Sequence, residues 1–184
     1  QRQPDSLPLA LPWLLAWFTG YSRRYLRRHF HSVRVSRRGT PRAVPGSPLV
    51  LMMNHASWWD PLVCLVVGDR FFSGQSIYAP IDARALERYR FFRKLGLFGV
   101  EQHTRRGAVQ FLRTSEAVLA SGGMLWVTPQ GRFTDPRVRP VRFEAGLGHL
   151  AARHPAARFV PLAIEYGFTT EKLPGISLAF GIPV

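Results

Sequence analysis

Short apolar runs alternate with longer segments of helical period along most of this chain, and that alternation limits the possible fold more than any other feature. "LVLMMN" (49–54), "SIYAPI" (76–81), "LFGVE" (97–101), "MLWVTPQG" (124–131, broken at Pro129), "RFVPLAIEYG" (158–167) and "ISLAFG" (176–181) are short and flanked by turn formers. Such runs read as buried strands. Between them the spacing predicts helices from Asp60 through about Val67, with Pro61 in the first turn, over 83–96, ending at Gly96, and over 143–154. A further helix follows Thr104 as N-cap. Ala108, Phe111, Leu112, Ser115, Val118 and Leu119 form its inner stripe, and Gly122-Gly123 ends it. The expectation is an α/β fold, with helices covering both faces of a mixed, largely parallel sheet. In such sheets ligand sites gather at the carboxyl ends of strands.

The 184 residues, 46% of them hydrophobic, suit one domain with a sizeable core. Ahead of it, residues 13–30 carry Leu14, Phe18, Tyr21 and Tyr25 on one helical stripe. Arg23 and Arg27 lie opposite, with Arg24 and Arg28 on the flank. Further arginines follow at Arg34, Arg37 and Arg38. An aromatic face backed by arginines suits a helix lying in a bilayer interface; the alternative is a helix packed on its own domain with a solvated basic face. The chain therefore divides into an amphipathic, basic membrane-contact segment (1–38) and a main domain (39–184), joined by the Pro/Gly connector "RGTPRAVPGSP". The apolar stretch 9–18 is shorter than the ~20 residues a span needs. Its basic cluster follows rather than precedes it, unlike a signal peptide. The chain starts at Gln1 and stops inside "FGIPV", which reads as a sequence cut at its ends.

The formal charge is +14, from 25 Lys and Arg against 11 Asp and Glu, which calls for an anionic partner. No nucleic-acid-binding signature accompanies it, and the arginines gather beside the amphipathic start, so an anionic membrane surface is favoured over nucleic acid. Cys64 is the one cysteine, set in an apolar run, which reads as a small buried hydrophobe rather than a nucleophile. No group of Cys, His and carboxylates has metal-ligand spacing, so no metal is expected.

Two polar clusters follow strands. In "NHASWWD", His55 and Asp60 are separated by a turn that Asn54 and Ser57 can tie down. A neutral imidazole takes a proton near neutral pH, and a carboxylate that fixes its tautomer improves it. His55 is thus a candidate general base and Asp60 its partner; the bland alternative is a turn histidine beside a helix-capping aspartate. In "TPQGRFTD", Gly131 permits close approach of a ligand to the backbone and Arg132 can grip a phosphate; the bland alternative is a surface turn.

Taken in order, these clusters resemble the glycerolipid and lysophospholipid acyltransferases. "NHASWWD" resembles the family's Asn-His-x-Ser-x-x-Asp block. "LGLFGVEQHTRRGA" resembles the acceptor block, "VTPQGRFTD" the Pro-Glu-Gly block, and "FVPLAIEY" the Val-Pro block at Pro161; "FEAGLGHLA" matches the segment between the last two. The likeness runs from Leu49 to the end. It implies a glycerolipid acyltransferase-like fold over 39–184, and transfer of a fatty acyl group from acyl-CoA or acyl carrier protein to a lyso-lipid hydroxyl. It implies His55 and Asp60 as the catalytic pair, with Asn54, Ser57, Arg105, Arg106, Gln130, Gly131 and Arg132 around the substrates. Backbone N–H groups near Gly131 would meet the oxyanion. No cofactor beyond the thioester co-substrate is implied, and the place implied is the cytoplasmic face of the inner or plasma membrane. The chain departs from the pattern at Gln130, where the family has Glu, and at Glu101-Gln102, where it often has Asp-Arg. These departures keep open a non-phosphate acceptor, such as a glycosylated or ornithine-type lipid, and a lipid-binding relative without catalysis.

Overall fold

In the computed structural model, which describes residues 7–37 and 46–184, the chain runs through helix α1 (Pro12–His29) and strands β1 (Ser32–Val35) and β2 (Leu49–Met53). Helix α2 (Asp60–Phe71), strand β3 (Ile77–Asp82), helix α3 (Ala83–Arg88), a 3-10 helix (Arg90–Lys94) and strand β4 (Leu97–Val100) follow. Helix α4 (Arg105–Ala120), strand β5 (Met124–Val127), helix α5 (Ala145–Arg153) and strands β6 (Arg158–Gly167) and β7 (Gly175–Phe180) complete it. The strands form one sheet in the order β1-β7-β6-β2-β5-β3-β4. Every pairing is parallel except β6 with β7. The expected mixed, largely parallel sheet is present.

Strand alternation makes two cores. Leu49, Leu51 and Met53 of β2, Met124 and Trp126 of β5, and Leu162 and Ile164 of β6 pack with Leu26 and Phe30 of the first helical segment and Val63 and Val67 of α2. Val50, Leu125, Val127 and Phe159 face the other way, onto Val118 and Leu119 of α4 and Leu150 of α5. β2 and β5 are thus covered on both faces, which is why they read as continuous apolar runs. Each such side chain taken from water contributes roughly 1.5–3 kcal/mol.

The first helix differs from its expected stripe. It buries Thr19, Ser22 and Leu26, two of them small, and packs closely on α2, with an Arg23–Asp69 ion pair beside the contact. Leu14, Phe18 and Tyr25 are partly buried, whereas Trp13, Trp17 and Tyr21 are exposed. β1, which continues from this helix, pairs with β7. The described part of the 1–38 segment therefore packs directly on the rest of the chain. Arg38 and most of the expected connector lie outside the described residues.

One further expectation needs correction. The predicted helix over 83–96 ends at Arg88 and continues, after Tyr89, as the 3-10 helix. The break lets Phe91 and Phe92 turn toward α1, where both rings meet Phe18 edge-on, at 5.2 and 6.5 Å between centres. β5 ends at Val127, just ahead of the expected break at Pro129, and Thr128 to Gly131 form a turn closed by the Gly131 N–H on the Thr128 carbonyl.

Candidate active site

β2, β5 and β6 are parallel neighbours at the middle of the sheet, so their carboxyl ends open on one edge. His55 follows β2, Gln130 follows β5, and Tyr166 lies near the end of β6. Sequence positions 55, 130 and 166 meet there.

The turn after β2 brings the His55 ring to Asp60. His55 Nδ1 lies 2.7 Å from Asp60 Oδ2, and the carboxylate is buried, at 2% side-chain exposure. A carboxylate accepts only, so Nδ1 carries the proton and Nε2 is left as the basic atom. Asp60 Oδ2 also accepts from the backbone N–H groups of Ala56 and Ser57, at 2.9 and 3.1 Å. Asp60 Oδ1 accepts from the Tyr166 hydroxyl at 2.6 Å. Four donors offset the cost of removing this charge from water. Asp60 opens α2, but its oxygens turn back into the dyad turn, and Trp59, at the N-cap, makes no side-chain cap.

Asn54 lies at the hinge between strand and turn. Its Nδ2 donates to the Ile164 carbonyl at 2.9 Å, and its Oδ1 accepts from the Ile164 N–H at 2.7 Å, tying the end of β2 to β6. Ser57 Oγ accepts from the Trp59 N–H at 3.3 Å, within the turn. The two tryptophans differ: Trp59 packs among Tyr25, His29 and Phe30, while Trp58 is 65% exposed, 6.4 Å from the Tyr89 ring.

The loop after β5 grips His55 from the other side. The buried Gln130 accepts from the His55 N–H through Oε1 at 2.7 Å, and the Thr134 N–H donates to the His55 carbonyl at 2.8 Å. Phe133 lays its ring 4.1 Å from the imidazole, tilted by 31°. Gly131 adopts φ +65°, the left-handed region, which admits glycine at least cost. Its N–H is committed to the Thr128 carbonyl. The N–H groups of Arg132 and Phe133 have no partner among the described residues.

Gln102 links the segment between β4 and α4 to this loop, donating from Nε2 to the Gly131 carbonyl at 3.2 Å. Arg105 and Arg106 are exposed in the first turn of α4, which Thr104 caps by accepting from the Gly107 N–H at 2.9 Å. Arg132 is exposed on the loop that holds Gln130. None of these three arginines pairs with a carboxylate among the described residues.

On the α4–α5 side of β2 lies an apolar cavity of about 530 Å³, lined by Met52, Leu147, Gly148, Phe159 and Phe143 among others. Cys64 lies in α2. Loss of water contact, and secondarily the Asp60 charge, push its thiol well above the ordinary range. Tyr166 and Phe133 are site residues the sequence did not announce: both are ordinary aromatics in apolar surroundings, and only the strand pairing brings them to the dyad.

A protein-family model described as Acyltransferase matches residues 29–165. No curated protein matches the chain. Among solved structures, the crystal structure of the 1-acyl-sn-glycerophosphate (LPA) acyltransferase PlsC from Thermotoga maritima is similar, with a TM-score of 0.64 at 18% identity. That likeness covers 94% of this chain and 69% of the other, and at such identity it is a likeness of fold.

Proposed function

This chain belongs to the acyltransferase family, and from that premise we propose that it transfers a fatty acyl group from an acyl thioester, acyl-CoA or acyl carrier protein, to a hydroxyl of a lyso-lipid. The observation that carries this reading is the His55–Asp60 contact of 2.7 Å at the carboxyl edge of the sheet. It leaves His55 Nε2 as the base.

In the proposed mechanism, His55 Nε2 removes the acceptor's hydroxyl proton as the oxygen attacks the thioester carbonyl. The carbon–oxygen bond forms and the carbonyl π pair moves onto oxygen. Asp60 stabilises the imidazolium. The N–H groups of Arg132 and Phe133 are the next uncommitted donors along the loop for that oxyanion. When the carbonyl re-forms, the carbon–sulfur bond breaks and the thiolate leaves with the proton from His55. The apolar cavity beside β2 offers a place for an acyl tail. Arg105, Arg106 and Arg132 supply charge for a phosphate of donor or acceptor. Asn54 and Ser57 act through the turn that they fasten.

The proposed setting is the cytoplasmic face of the inner or plasma membrane. No helix among the described residues is long and apolar enough to cross a membrane. Supporting an interfacial mode, Trp13 and Trp17 are 68% and 63% exposed on α1, close to Tyr21, and exposed arginines (Arg24, Arg27 and Arg28) follow on the same helix.

A specific feature keeps a second acceptor class in view. Gln130 and Gln102 are neutral where the family carries charge, which favours testing glycosylated and ornithine-type lipids beside phosphate-bearing ones. The test is acyl transfer from radiolabelled acyl-CoA and acyl carrier protein to a detergent-dispersed panel of such acceptors, with His55→Ala alongside. Product from the wild type, reduced by about 10²-fold or more in His55→Ala, is expected. Equal rates in the two proteins would refute general-base catalysis by His55. No product with any pair would favour a lipid-binding relative without catalysis.

A further inference from the structure

We infer that Tyr166 is a positioning residue of the dyad, holding the Asp60 carboxylate in orientation and charge through a hydrogen bond from the far end of β6. The contact is short, 2.6 Å, and joins residues 106 positions apart. It is the one partner of Asp60 Oδ1 among the described residues; the other three donors crowd Oδ2. Without it the carboxylate is anchored at one oxygen and its plane is less restrained about the bond to Cβ.

The direction of the bond is unambiguous, because an ionised carboxylate has no hydrogen to give and the phenol must donate. Tyr166 is partly buried and meets Phe30 at 5.8 Å between ring centres, within the core that also holds Trp59. The ring is therefore fixed by packing, and the hydroxyl is delivered to Oδ1 with little freedom. Burial and then the Asp60 charge raise its pKa above any pH at which the protein would be assayed. Tyr166 stays a neutral donor and does not act as a base.

The electrostatic sign follows. A donor to the anionic form of an interacting pair lowers the pH at which that pair takes up a proton, and its removal raises that pH whichever atom receives the proton. Tyr166→Phe removes one oxygen and keeps the ring.

This inference rests on the reading of His55 and Asp60 as the catalytic dyad, so its test has one arm that needs no substrate. In that arm the His55 ring resonance, identified by its absence in His55→Ala, is titrated in wild type and Tyr166→Phe. The midpoint is expected to rise by about half to one pH unit in the variant. In the second arm, acyl transfer is followed against pH. The acid limb should move up by the same amount, and kcat should fall about tenfold with the acceptor KM unchanged. In an Asp60→Asn background, where no anion remains to hold, Tyr166→Phe should change neither quantity further. An unchanged midpoint in a folded Tyr166→Phe protein, or an equal effect in both backgrounds, would reduce Tyr166 to packing and overturn the inference. A shifted midpoint in a protein that transfers no acyl group would sustain it while removing the proposed reaction.

Discussion

Gln130 Oε1 accepts the backbone N–H of His55 at 2.7 Å, across 75 residues of sequence. The residue that departs from the family's usual Glu thus holds the main chain of His55, a task either an amide or a carboxylate oxygen performs. What changes is charge. Gln130→Glu keeps the acceptor but adds a buried negative charge to a site that already contains Asp60. The acid limb of the pH–rate profile is expected to move upward by about one unit, because nearby anions favour the protonated imidazole. Gln130→Ala leaves the N–H unpaired and should cost about 1–2 kcal/mol of stability, together with a loss of turnover. Thermal melts and pH–rate profiles of both variants check this. An unmoved profile in Gln130→Glu would show the added charge to be screened from the dyad.

Asn54 bridges β2 and β6 with two bonds to the backbone of a single residue, Ile164. Asn54→Ala removes both and leaves a carbonyl and an N–H of β6 without these partners. A loss of about 2–3 kcal/mol is expected, at roughly 1 kcal/mol per bond plus the desolvation left behind. It should appear as a lower urea midpoint with the slope unchanged. A stability equal to wild type would mean that water replaces the side chain fully.

Cys64 offers a check on whether acyl transfer passes through a covalent intermediate on the protein. Its thiol is pushed up by burial and by Asp60, so the thiolate fraction at neutral pH is small. Cys64→Ala should retain acyl transfer within about threefold, and the native thiol should alkylate slowly at pH 8. Abolished turnover in a folded Cys64→Ala protein would demand a different mechanism.

The exposed rings of α1 predict a surface effect without a stability effect. Replacing Trp13, Trp17 and Tyr21 together by Ser should leave the melting temperature within about two degrees, since all three are exposed. Binding to anionic vesicles should fall at least about tenfold in sedimentation assays. Replacing Arg24, Arg27 and Arg28 by Gln should instead flatten the salt dependence, at roughly 1 kcal/mol for each charge near the lipid surface. Unaltered vesicle binding in both sets would place the membrane contact elsewhere.

The strands that form the middle of the sheet were legible because burial on both faces leaves an uninterrupted apolar signature. β1 was not: "SVRV" is short and half polar, and it becomes a strand only because β7 offers an edge. The helix over 83–96 misled because periodicity cannot register the pull of Phe18 on Phe91 and Phe92. In the site, His55 and Asp60 were readable since one turn joins them. The Gln130 hydrogen bond, the Phe133 cover and the Tyr166 donor were not, since each depends on register between strands that are distant in sequence. The glycine of "RRGA" shows the same limit. A Cβ at Gly107 would come within 1.9 Å of the Glu101 carbonyl oxygen, a local packing demand that gives the block's glycine a steric reason.

The loop after β5 clamps His55 at both its N–H and its carbonyl, and β6 supplies the last donor to Asp60. A ribosome that has made residues 55 to 60 has therefore produced the letters of a dyad and not its geometry. A nascent chain reaches the full arrangement only after residue 166 emerges and the β2–β6 pairing closes. Until then His55 and Asp60 lack their full set of partners, so the moment at which the site assembles is written into strand order.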